Sequence, residues 1–425
     1  MNRTIERYLQ RRTLNDRWAL QGLPGPERHS VVVIPALGEF PGILDTLGDL
    51  ARCPGSDDTL AIVVVNNRSP AQASADDIAG NRQTLASLQE WDQQLLNVTW
   101  IDASSPGLEL PEKEGVGLAR KIGLDWGLQI LATQDRLQVP LVCLDGDTRV
   151  DEGYLAALDG FFANPSRWAG ILPYAHPITG DRREQAAILC YEFFLRYHAL
   201  QLAWAASPYG YHAIGSAMAC TPTAYAAISG MNRRQAGEDF YFLQQLAKTG
   251  AVEVVPGTIV RPSGRASHRV PFGTGRRVQR FLAGQQEEYQ LYHPDSYAVI
   301  RDWLAVAVAH GGRDSIALLS AAGSIHGELR DFLAGQNFAQ AWDRMRAQAA
   351  SDEALTAQFH RWFDGLRTVQ CIHHLRDTVW PDTPMFAAMD VLLQRLQRTA
   401  AVELNGELVE DLPRQVRLLE QLRAL

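Results

Sequence analysis

The sequence has little of what marks secreted, zinc-binding or nucleic-acid-binding chains. Its five cysteines among 425 residues are widely separated and form no CxxC pair, which argues against a disulfide framework and a cysteine zinc site. Such a small number of separated cysteines fits a protein of the reduced cytoplasm. The N-terminal stretch MNRTIERYLQRRTLNDRW has charges throughout and no apolar segment, unlike a secretory signal.

Positive charge and long apolar runs are also scarce. The formal net charge is −8 and the pI is about 5.8, which argues against a general nucleic-acid binder. The longest apolar region, residues 186–206, is interrupted by Glu192, Arg196 and His198, whereas a membrane span has about 18 or more apolar residues with few charges. We interpret it as a buried amphipathic helix, with a peripheral contact at the inner membrane face as the alternative.

The pattern of apolar residues predicts an α/β fold with a mainly parallel sheet flanked by helices. Four short β-rich runs, at 31–34, 62–65, 98–101 and 141–144, alternate with helical patterns. Such alternation is typical of βαβ units. Ligands of open sheets of this kind bind outside the carboxyl ends of the strands, where the polar residues of this chain cluster.

Composition along the chain indicates three regions, in line with roughly 100–200 residues per domain. An N-terminal helical extension is expected at 1–28 and the α/β domain at 29–275. Helical patterns rich in Ala, Leu, Gln and Arg then continue through 276–425. The stretch GRASHRVPFGTGRR marks either the boundary between the last two regions or a functional loop.

Two carboxylates flank a glycine directly after the last apolar run, in LVCLDGDTRVD. On an extended backbone Asp145 and Asp147 would face the same side, and Gly146 would let a ligand approach. Such a pair suits Mg²⁺ or Mn²⁺, hard ions that prefer oxygen ligands and share substrate phosphates. A solvated turn is the alternative, since Asp and Gly are common turn residues. The preceding strand favours the metal half-site.

A phosphatase-type DxDxT loop, in which the first aspartate is a nucleophile, is a further alternative for this segment. That pattern needs Thr or Val at the position that Arg149 occupies, and Thr148 lies one place too early. The arginine therefore argues against the phosphatase interpretation.

A second acidic pair opens a predicted helix in AGEDFYFLQQLAKTG, residues 236–250. Apolar residues recur at helical spacing from Phe240 onward, and Gly250 is a plausible stop. Glu238 and Asp239 therefore lie at the helix start, where the helix dipole favours acids by about 0.3–1 kcal/mol. A stabilising role and a catalytic base that accepts a hydroxyl proton both stay open.

Two further segments carry polar chemistry. Gly115 and Gly117 precede a helix that carries Arg120 and could cradle phosphate, but the third glycine of a dinucleotide fingerprint is missing, which disfavours a Rossmann dehydrogenase. His268, in the Gly/Arg-rich loop, is either a third metal ligand or a surface or phosphate-facing histidine.

Taken in order, these motifs resemble the family 2 glycosyltransferases of GT-A fold. The similarity covers roughly residues 29–270. It rests on five motifs in the family's order, each weak alone: HSVVVIPALGE, IVVVNNRS, GVGLARKIG, LDGDTRV and GMNRRQAGEDFYFLQQLAKTG.

The resemblance implies an inverting, metal-dependent bacterial enzyme that uses a nucleotide-diphospho-sugar donor and a carbohydrate, lipid or small-molecule acceptor. Asp145 and Asp147 would bind Mg²⁺ or Mn²⁺ with the donor diphosphate. Asp239 would be the catalytic base, with Gly237 and Glu238 on the acceptor side. The donor's nucleoside side would be lined by Pro35, Ala36, Glu39, Asn66, Asn67 and Arg120.

The chain departs from the family at three of these places. Asn66 and Asn67 stand where the family usually has aspartate; an amide donates as well as accepts hydrogen bonds, which puts a uracil preference in doubt. Gly38 replaces a common Asn, and Lys121 the Asn of the "ARN" helix. The C-terminal pair of membrane helices typical of the family has no counterpart here.

Two other functions remain as alternatives. A nucleotidyltransferase acting on a sugar phosphate would need a Gly-rich loop with Lys or Arg after the first strand, and ALGEFPG has no such cation. A non-catalytic nucleotide-sugar sensor or scaffold would use the helical C-terminal region to bind a partner. Metal-dependent release of nucleoside diphosphate separates an enzyme from such a sensor.

Overall fold

The structure is a computed structural model that describes residues 2–22, 30–68, 72–266, 273–285, 287–309 and 311–425. The chain forms two compact units, the first of Met1–Pro177 with Ala213–Arg276 and the second of Ile178–His212 with Arg277–Leu425. The second unit thus takes a segment from within the predicted 29–275 domain. This segment contains a long helix whose apolar side chains share a core with the C-terminal helices.

The described residues contain twelve strands. They are β1 (Leu20–Gln21), β2 (Ser30–Ala36), β3 (Thr59–Asn66), β4 (Asn97–Ala103), β5 (Leu141–Cys143), β6 (Arg149–Val150), β7 (Ala169–Ile171), β8 (Met218–Cys220), β9 (Val252–Val254), β10 (Val260–Arg261), β11 (Gln290–Leu291) and β12 (Thr383–Pro384). Three of them, β2 to β4, contain the apolar runs that predict strands, and β5 lies within the fourth run.

The same residues contain seventeen α-helices. They are α1 (Arg3–Arg11), α2 (Gly42–Arg52), α3 (Ala75–Gln89), α4 (Val116–Thr133), α5 (Tyr154–Phe162), α6 (Arg182–Trp204), α7 (Pro222–Ala227), α8 (Glu238–Ala247), α9 (Thr274–Leu282), α10 (Pro294–Val308), α11 (Ser315–Ile325), α12 (Gly327–Gly335), α13 (Phe338–Gln348), α14 (Asp352–Trp362), α15 (Gly365–Thr378), α16 (Met385–Arg395) and α17 (Leu412–Arg423). Helices dominate the second unit.

The main sheet of the first unit has eight strands in the order β1-β4-β3-β2-β5-β8-β7-β9. Strands β4, β3, β2 and β5 pair in parallel, as do β7 and β9. The pairings of β1 with β4, β5 with β8 and β8 with β7 are antiparallel. The predicted α/β fold with a mainly parallel sheet is therefore confirmed.

Strands β2 and β3 are buried along their whole length, as expected for parallel strands covered on both faces. Helix α4 packs closely on them because two glycines face the sheet. A Cβ at Gly127 would lie 2.9 Å from side-chain atoms of Val31 and Leu141, and one at Gly123 would overlap Val33. The small residues of this helix thus set how closely it approaches the sheet.

The N-terminal region is helical only in part. Helix α1 covers Arg3–Arg11, whereas Leu20–Gln21 forms the edge strand β1. A buried polar cluster joins α1 to α4 and α7: the Tyr8 and Tyr225 hydroxyls donate to Asp125 Oδ1 at 2.7 and 2.8 Å, and the Lys121 ammonium donates to Asp125. Lys121, which departs from the family's Asn, is therefore a structural residue in this unit.

The second unit is helical apart from one short antiparallel pair, β11 with β12. Sequence patterns predict no strand here, because two residues are too few to show a period. The predicted helix at 186–206 is present as α6, with Glu192 fully buried. Both Arg196 and Arg423 donate to its carboxylate at 2.8 Å, so the charges that interrupt the apolar run tie α6 to the C-terminal helix. Among the described residues no helix is long and apolar enough to span a bilayer.

The close approach of α4 to the sheet gives a testable stability difference. Gly123→Ala should lower the free energy of unfolding by about 1–3 kcal/mol, because the added methyl group overpacks against Val33. Gly160→Ala, at an open position in the last turn of α5, should raise it by about 0.5–1 kcal/mol, since alanine favours helix. Urea unfolding measures both, and equal effects at the two positions would contradict this packing.

Candidate functional site

The carboxyl ends of the parallel strands β2, β3, β4 and β5 lie at one edge of the sheet. These strands end at Ala36, Asn66, Ala103 and Cys143. Ligand sites of open α/β sheets form at this edge. The predicted site residues that follow these strands are therefore brought to one region of the first unit.

The DGD segment after β5 is a turn and not an extended strand end. The Thr148 amide donates to the Asp145 carbonyl at 3.1 Å, which closes the turn. The expectation that Asp145 and Asp147 share one side of an extended backbone is therefore wrong. The two carboxylates reach different arginines, and Gly146 between them lies against Glu39, with 3.0 Å from a Cβ position to Glu39 Cγ.

Asp145 is held by two donors from other segments. Arg120 Nη2 donates to Oδ1 at 2.6 Å and the Ser216 hydroxyl donates to Oδ2 at 2.5 Å. The Thr148 and Ser216 hydroxyl oxygens lie 2.9 Å apart, and both residues are buried. Sequence reasoning missed Ser216 and Thr148, because lone hydroxyl residues carry no pattern that separates them from ordinary buried ones.

Arg120 is the buried centre of the site. Only 2% of its side chain is exposed, and its Nε donates to Glu238 Oε1 at 3.1 Å while Nη2 holds Asp145. These two carboxylates raise the pKa of the guanidinium against the opposing effect of burial. Gly215 leaves room for the side chain, since a Cβ there would overlap Nη2. Among the described residues Arg120 Nη1 has no hydrogen-bond partner.

Arg120 therefore joins the two acidic motifs, which are about ninety residues apart in the sequence. The resemblance implies a place for it on the donor's nucleoside side, and that role stays a prediction. What the structure shows is an internal bridge from the turn after β5 to the start of α8.

Glu238 and Asp239 open helix α8, as the sequence predicts. The preceding Gly237 has φ +70°, a conformation that favours glycine. The Asn232 side chain donates to the Glu238 carbonyl at 2.9 Å and so fixes the start of the helix.

The environment of the two acids changes their proton affinity. Burial raises the pKa of Glu238, although Arg120 opposes the shift. Burial, followed by the neighbouring charge of Glu238, raises the pKa of Asp239 to about 7. An ordinary aspartate has a pKa near 4, the value that the sequence alone would give. Asp239 is therefore a much stronger base than expected, with a pKa close to neutral pH, where a general base is most effective.

A second arginine contacts the other carboxylates of the turn region. Arg265 Nη2 lies 3.0 Å from Asp147 Oδ2 and also donates to Glu39 Oε2. Arg265 belongs to the Gly/Arg-rich loop, which the sequence marks as a boundary or functional segment. The loop's composition was the available signal, but nothing in it shows which arginine reaches the site.

The two asparagines after β3 have different surroundings. The Asn67 side chain donates to the Ser104 carbonyl at 2.9 Å and accepts a hydrogen bond from Asn81. Among the described residues none hydrogen-bonds the side chain of Asn66. Asn67 thus stabilises the fold at this edge, and the role of Asn66, which is 4% exposed, stays a prediction. Pro35 and Ala36, the other residues expected on the nucleoside side, end the buried strand β2.

The glycines before α4 pack against protein and do not form an open phosphate cradle. A Cβ at Gly117 would lie 2.6 Å from the Asn232 carbonyl oxygen, and one at Gly115 would lie 2.9 Å from Gln235 Cα. The Gly117 amide donates to the Arg234 carbonyl at 3.1 Å. The phosphate-binding hypothesis for these glycines is therefore wrong, because the loop before α8 already fills the space.

Of two other sequence predictions, the structure tests only one. His268 lies outside the described residues. Arg149, whose presence argued against a phosphatase loop, pairs with Asp49 through Nη2 at 2.7 Å and not with the turn carboxylates. Arg149 therefore belongs to a separate ion pair between α2 and β6.

The carboxylates fit a metal that is shared with a substrate better than an ion enclosed by protein. No group of three or more His, Cys, Asp or Glu side chains among the described residues is arranged to hold an ion. Magnesium-type sites often use one or two carboxylates, with waters and substrate phosphates completing the shell. Asp145 and Asp147 suit this mode, since each carboxylate oxygen has two lone pairs and the residues retain partial exposure.

Comparison with known proteins yields distant structural similarities only. The chain matches no protein-family model and no curated protein sequence. It is similar to S. aureus TarS 1-349 (TM-score 0.38, 11% identity, 78% of this chain and 90% of that one). The same TarS fragment in complex with UDP-GlcNAc gives TM-score 0.38, 10% identity and coverages of 92% and 89%. The mannosyltransferase PcManGT from Pyrobaculum calidifontis, in complex with GDP-Man and Mn²⁺, gives TM-score 0.38, 12% identity and coverages of 99% and 91%. These values do not assign the chain to a family.

The raised pKa of Asp239 has a consequence for stability. The folded state holds the Asp239 proton more tightly than the unfolded state, so ionisation disfavours folding as pH rises from about 4 to about 7. Asp239→Asn cannot ionise. Between pH 4 and pH 7 its free energy of unfolding should therefore increase, relative to that of wild type, by about 1–2 kcal/mol, after allowance for partial exposure of the side chain.

Urea unfolding at unit steps from pH 4 to pH 8 measures this difference. Asp92→Asn, at an exposed turn aspartate, is the control and should follow wild type throughout. If the free energies of unfolding of Asp239→Asn and wild type differ by the same amount at every pH, the raised pKa of Asp239 is contradicted.

Proposed function

We propose that the chain is an inverting glycosyltransferase of the family 2 type, which moves a sugar from a nucleotide-diphospho-sugar to an acceptor hydroxyl. The observation that carries the proposal is the bridge through Arg120. It joins Asp145 of the DxD turn to Glu238, the neighbour of Asp239, at the ligand-binding edge of the sheet. This bridge supports the proposal that both acidic motifs of the family resemblance belong to one site in the first unit.

Asp239 has the properties that the proposed base requires. The acceptor oxygen forms a bond to the anomeric carbon while the bond from that carbon to the diphosphate breaks. The hydroxyl proton goes to the Asp239 carboxylate, and the nucleoside diphosphate leaves with the bonding electrons. Attack on the face opposite the leaving group inverts the configuration, as in other single-displacement reactions at this carbon. With a pKa of about 7, half of Asp239 is ionised at neutral pH.

The carboxylates of the turn supply the leaving-group side of the proposed site. Asp145 and Asp147 would hold Mg²⁺ or Mn²⁺ together with waters and the donor phosphates. When bound, such an ion would neutralise charge that builds up on the diphosphate as it leaves. Ser216 and Arg120 fix the orientation of Asp145, so one ligand would already be positioned before the donor arrives.

Removal of the proposed base should separate binding from transfer. Asp239→Asn should bind nucleoside diphosphate as wild type does but lose about 10²–10⁴-fold in transfer or in donor hydrolysis, since amides cannot accept the proton. Calorimetry follows binding, and release of nucleoside diphosphate from the donor follows the reaction. Asp92→Asn serves as the control. Transfer by Asp239→Asn at the wild-type rate would exclude Asp239 as the base.

The pH profile offers an independent check of the same residue. Because the ionised carboxylate is the active form, the wild-type rate should rise about tenfold per pH unit below pH 7 and level off above it. A rate that is flat between pH 5 and pH 8 would show that Asp239 does not titrate in the reaction.

A donor screen tests the substrate class. UDP-, GDP-, dTDP- and ADP-sugars are each mixed with the protein, with and without Mn²⁺, and the melting temperature is recorded. A matching donor at 100 times its Kd should stabilise the fold by about 2.7 kcal/mol, with the larger shift in the presence of Mn²⁺. No shift with any donor would contradict the proposed function, whereas binding without release of nucleoside diphosphate would indicate a sensor.

A further inference from the structure

Asn81 joins two segments at the carboxyl ends of strands β2 and β3. It lies in helix α3 and is 1% exposed. Its Oδ1 accepts a hydrogen bond from the Gly38 amide at 2.8 Å. Its Nδ2 donates to the Asn66 carbonyl at 2.9 Å and to Asn67 Oδ1. Gly38 follows β2, whereas Asn66 ends β3, so one buried side chain holds the ends of two adjacent strands together.

Backbone groups fix which way the two side-chain amides point. A backbone N–H only donates and a carbonyl only accepts, so Asn81 Oδ1 must face Gly38 and Asn81 Nδ2 must face Asn66. The same Nδ2 group requires the oxygen of Asn67, which leaves Asn67 Nδ2 to donate to the Ser104 carbonyl at 2.9 Å. Rotating either amide would set donor against donor and acceptor against acceptor. The orientation of the Asn67 amide therefore depends on Asn81.

Helix α3 contains two poor helix formers where it meets the loop after β2. Gly80 and Asn81 lie in the middle of the helix, Ala75–Gln89, although both residue types are unfavourable in helix interiors. A Cβ at Gly80 would lie 3.3 Å from Gly38 Cα, and one at Gly38 would lie 2.5 Å from Asp77 Oδ1. Gly38 also has φ +61°, which favours glycine. The missing side chains at positions 38 and 80 thus let Asn81 reach the backbone of the loop.

The loop that Asn81 holds lies beside the point where the sheet topology reverses. In the strand order β4-β3-β2-β5, the chain runs from β2 through β3 to β4 and then returns to β5 on the other side of β2. Ligands of open α/β sheets bind at such a point. A nucleotide whose diphosphate lies at the turn after β5 would extend its nucleoside over the ends of β2 and β3. Because Asn81 is buried, it would support this surface without contacting the ligand.

We propose that Asn81 is a positioning residue for the nucleoside of the donor. It keeps the loop after β2 and the amide of Asn67 in one arrangement, so that nucleoside binding does not have to order them. The diphosphate, at Asp145 and Asp147, does not depend on Asn81. This inference rests on the proposed function, because it takes a nucleotide-diphospho-sugar as the ligand.

Loss of the Asn81 side chain should weaken nucleoside binding and spare diphosphate binding. With saturating Mn²⁺, Asn81→Ala should bind the tightest of UDP, GDP, dTDP and ADP about tenfold more weakly than wild type, since binding then has to order the loop. Its affinity for inorganic pyrophosphate should stay at the wild-type value. The KM for the donor should rise about tenfold with kcat near that of wild type, as expected when binding shared by ground and transition states is lost. Calorimetry measures the affinities, and release of nucleoside diphosphate measures the rates.

Thr84→Val is the matched control. Thr84 is also buried in α3, and its hydroxyl donates to the Gly80 carbonyl within the helix at 3.0 Å. The substitution removes a buried polar group from the same helix and should leave both affinities unchanged.

Asn81→Asp is a second variant of nearly the same shape. It keeps the acceptor for the Gly38 amide and loses both donors. Burial beside two oxygen atoms should raise the pKa of the new carboxyl. The variant should therefore bind nucleoside diphosphate about tenfold more weakly than wild type at pH 8 and approach the wild-type affinity at pH 6, where protonation restores one donor.

The outcomes distinguish this inference from the proposed function. If Asn81→Ala binds nucleoside diphosphate as wild type does, or loses pyrophosphate affinity to the same degree, Asn81 does not position the nucleoside. An equal loss in Thr84→Val would also overturn the inference, because the effect would then belong to α3 as a whole. If Asn81→Ala does not fold, Asn81→Asp decides, and an affinity relative to wild type that is the same at pH 6 and pH 8 contradicts the inference. If wild type binds none of the four nucleotides, the proposed function fails and this inference fails with it.

Discussion

A guanidinium almost completely removed from water holds the candidate site together. An isolated charge in the interior is strongly unfavourable and persists only when it is paired and hydrogen-bonded. Arg120 meets this condition through Asp145 on one side and Glu238 on the other. The requirement works in both directions for Glu238, whose carboxylate is only 6% exposed and is compensated by the same guanidinium. The start of α8 and the turn after β5 are thereby placed by a single side chain.

Glycines where helix α4 contacts the sheet, and one beside the guanidinium, make this bridge possible. Gly123 and Gly127 let α4 lie close to β2 and β5, and so bring Arg120, one turn earlier in the helix, to the carboxyl ends of the strands. Gly215, which has no side chain, then leaves the space that the guanidinium occupies. These glycines are needed for close approach, and the site's geometry depends on them although none of them carries reactive chemistry.

Sequence patterns predicted the parts of the fold that are long and periodic. The buried strands β2 and β3, the helix α8 with its acidic start and the helical C-terminal part follow from the spacing of apolar residues. Strands of two or three residues, such as β7 and β8, are set by their partners in the sheet and show no period of their own. For the same reason the contacts of Ser216 and Arg265 were not predictable: each depends on which distant segments the fold brings together. The DGD turn was misjudged because the strand ends at Cys143, two residues before the first aspartate.

The basicity of Asp239 depends first on its burial and then on the charges beside it. Burial accounts for most of the rise in its pKa, and the charge of Glu238 is the next contribution. Glu238 is itself buried, which favours its protonated form, and the guanidinium of Arg120 opposes this. Arg120 acts on Asp239 in two opposite ways: its positive charge lowers the pKa of Asp239 directly, and by favouring an ionised Glu238 it keeps in place a negative charge that raises that pKa. The arginine that positions the leaving-group side of the proposed reaction therefore also tunes the base on the acceptor side, although it contacts only the neighbour of that base.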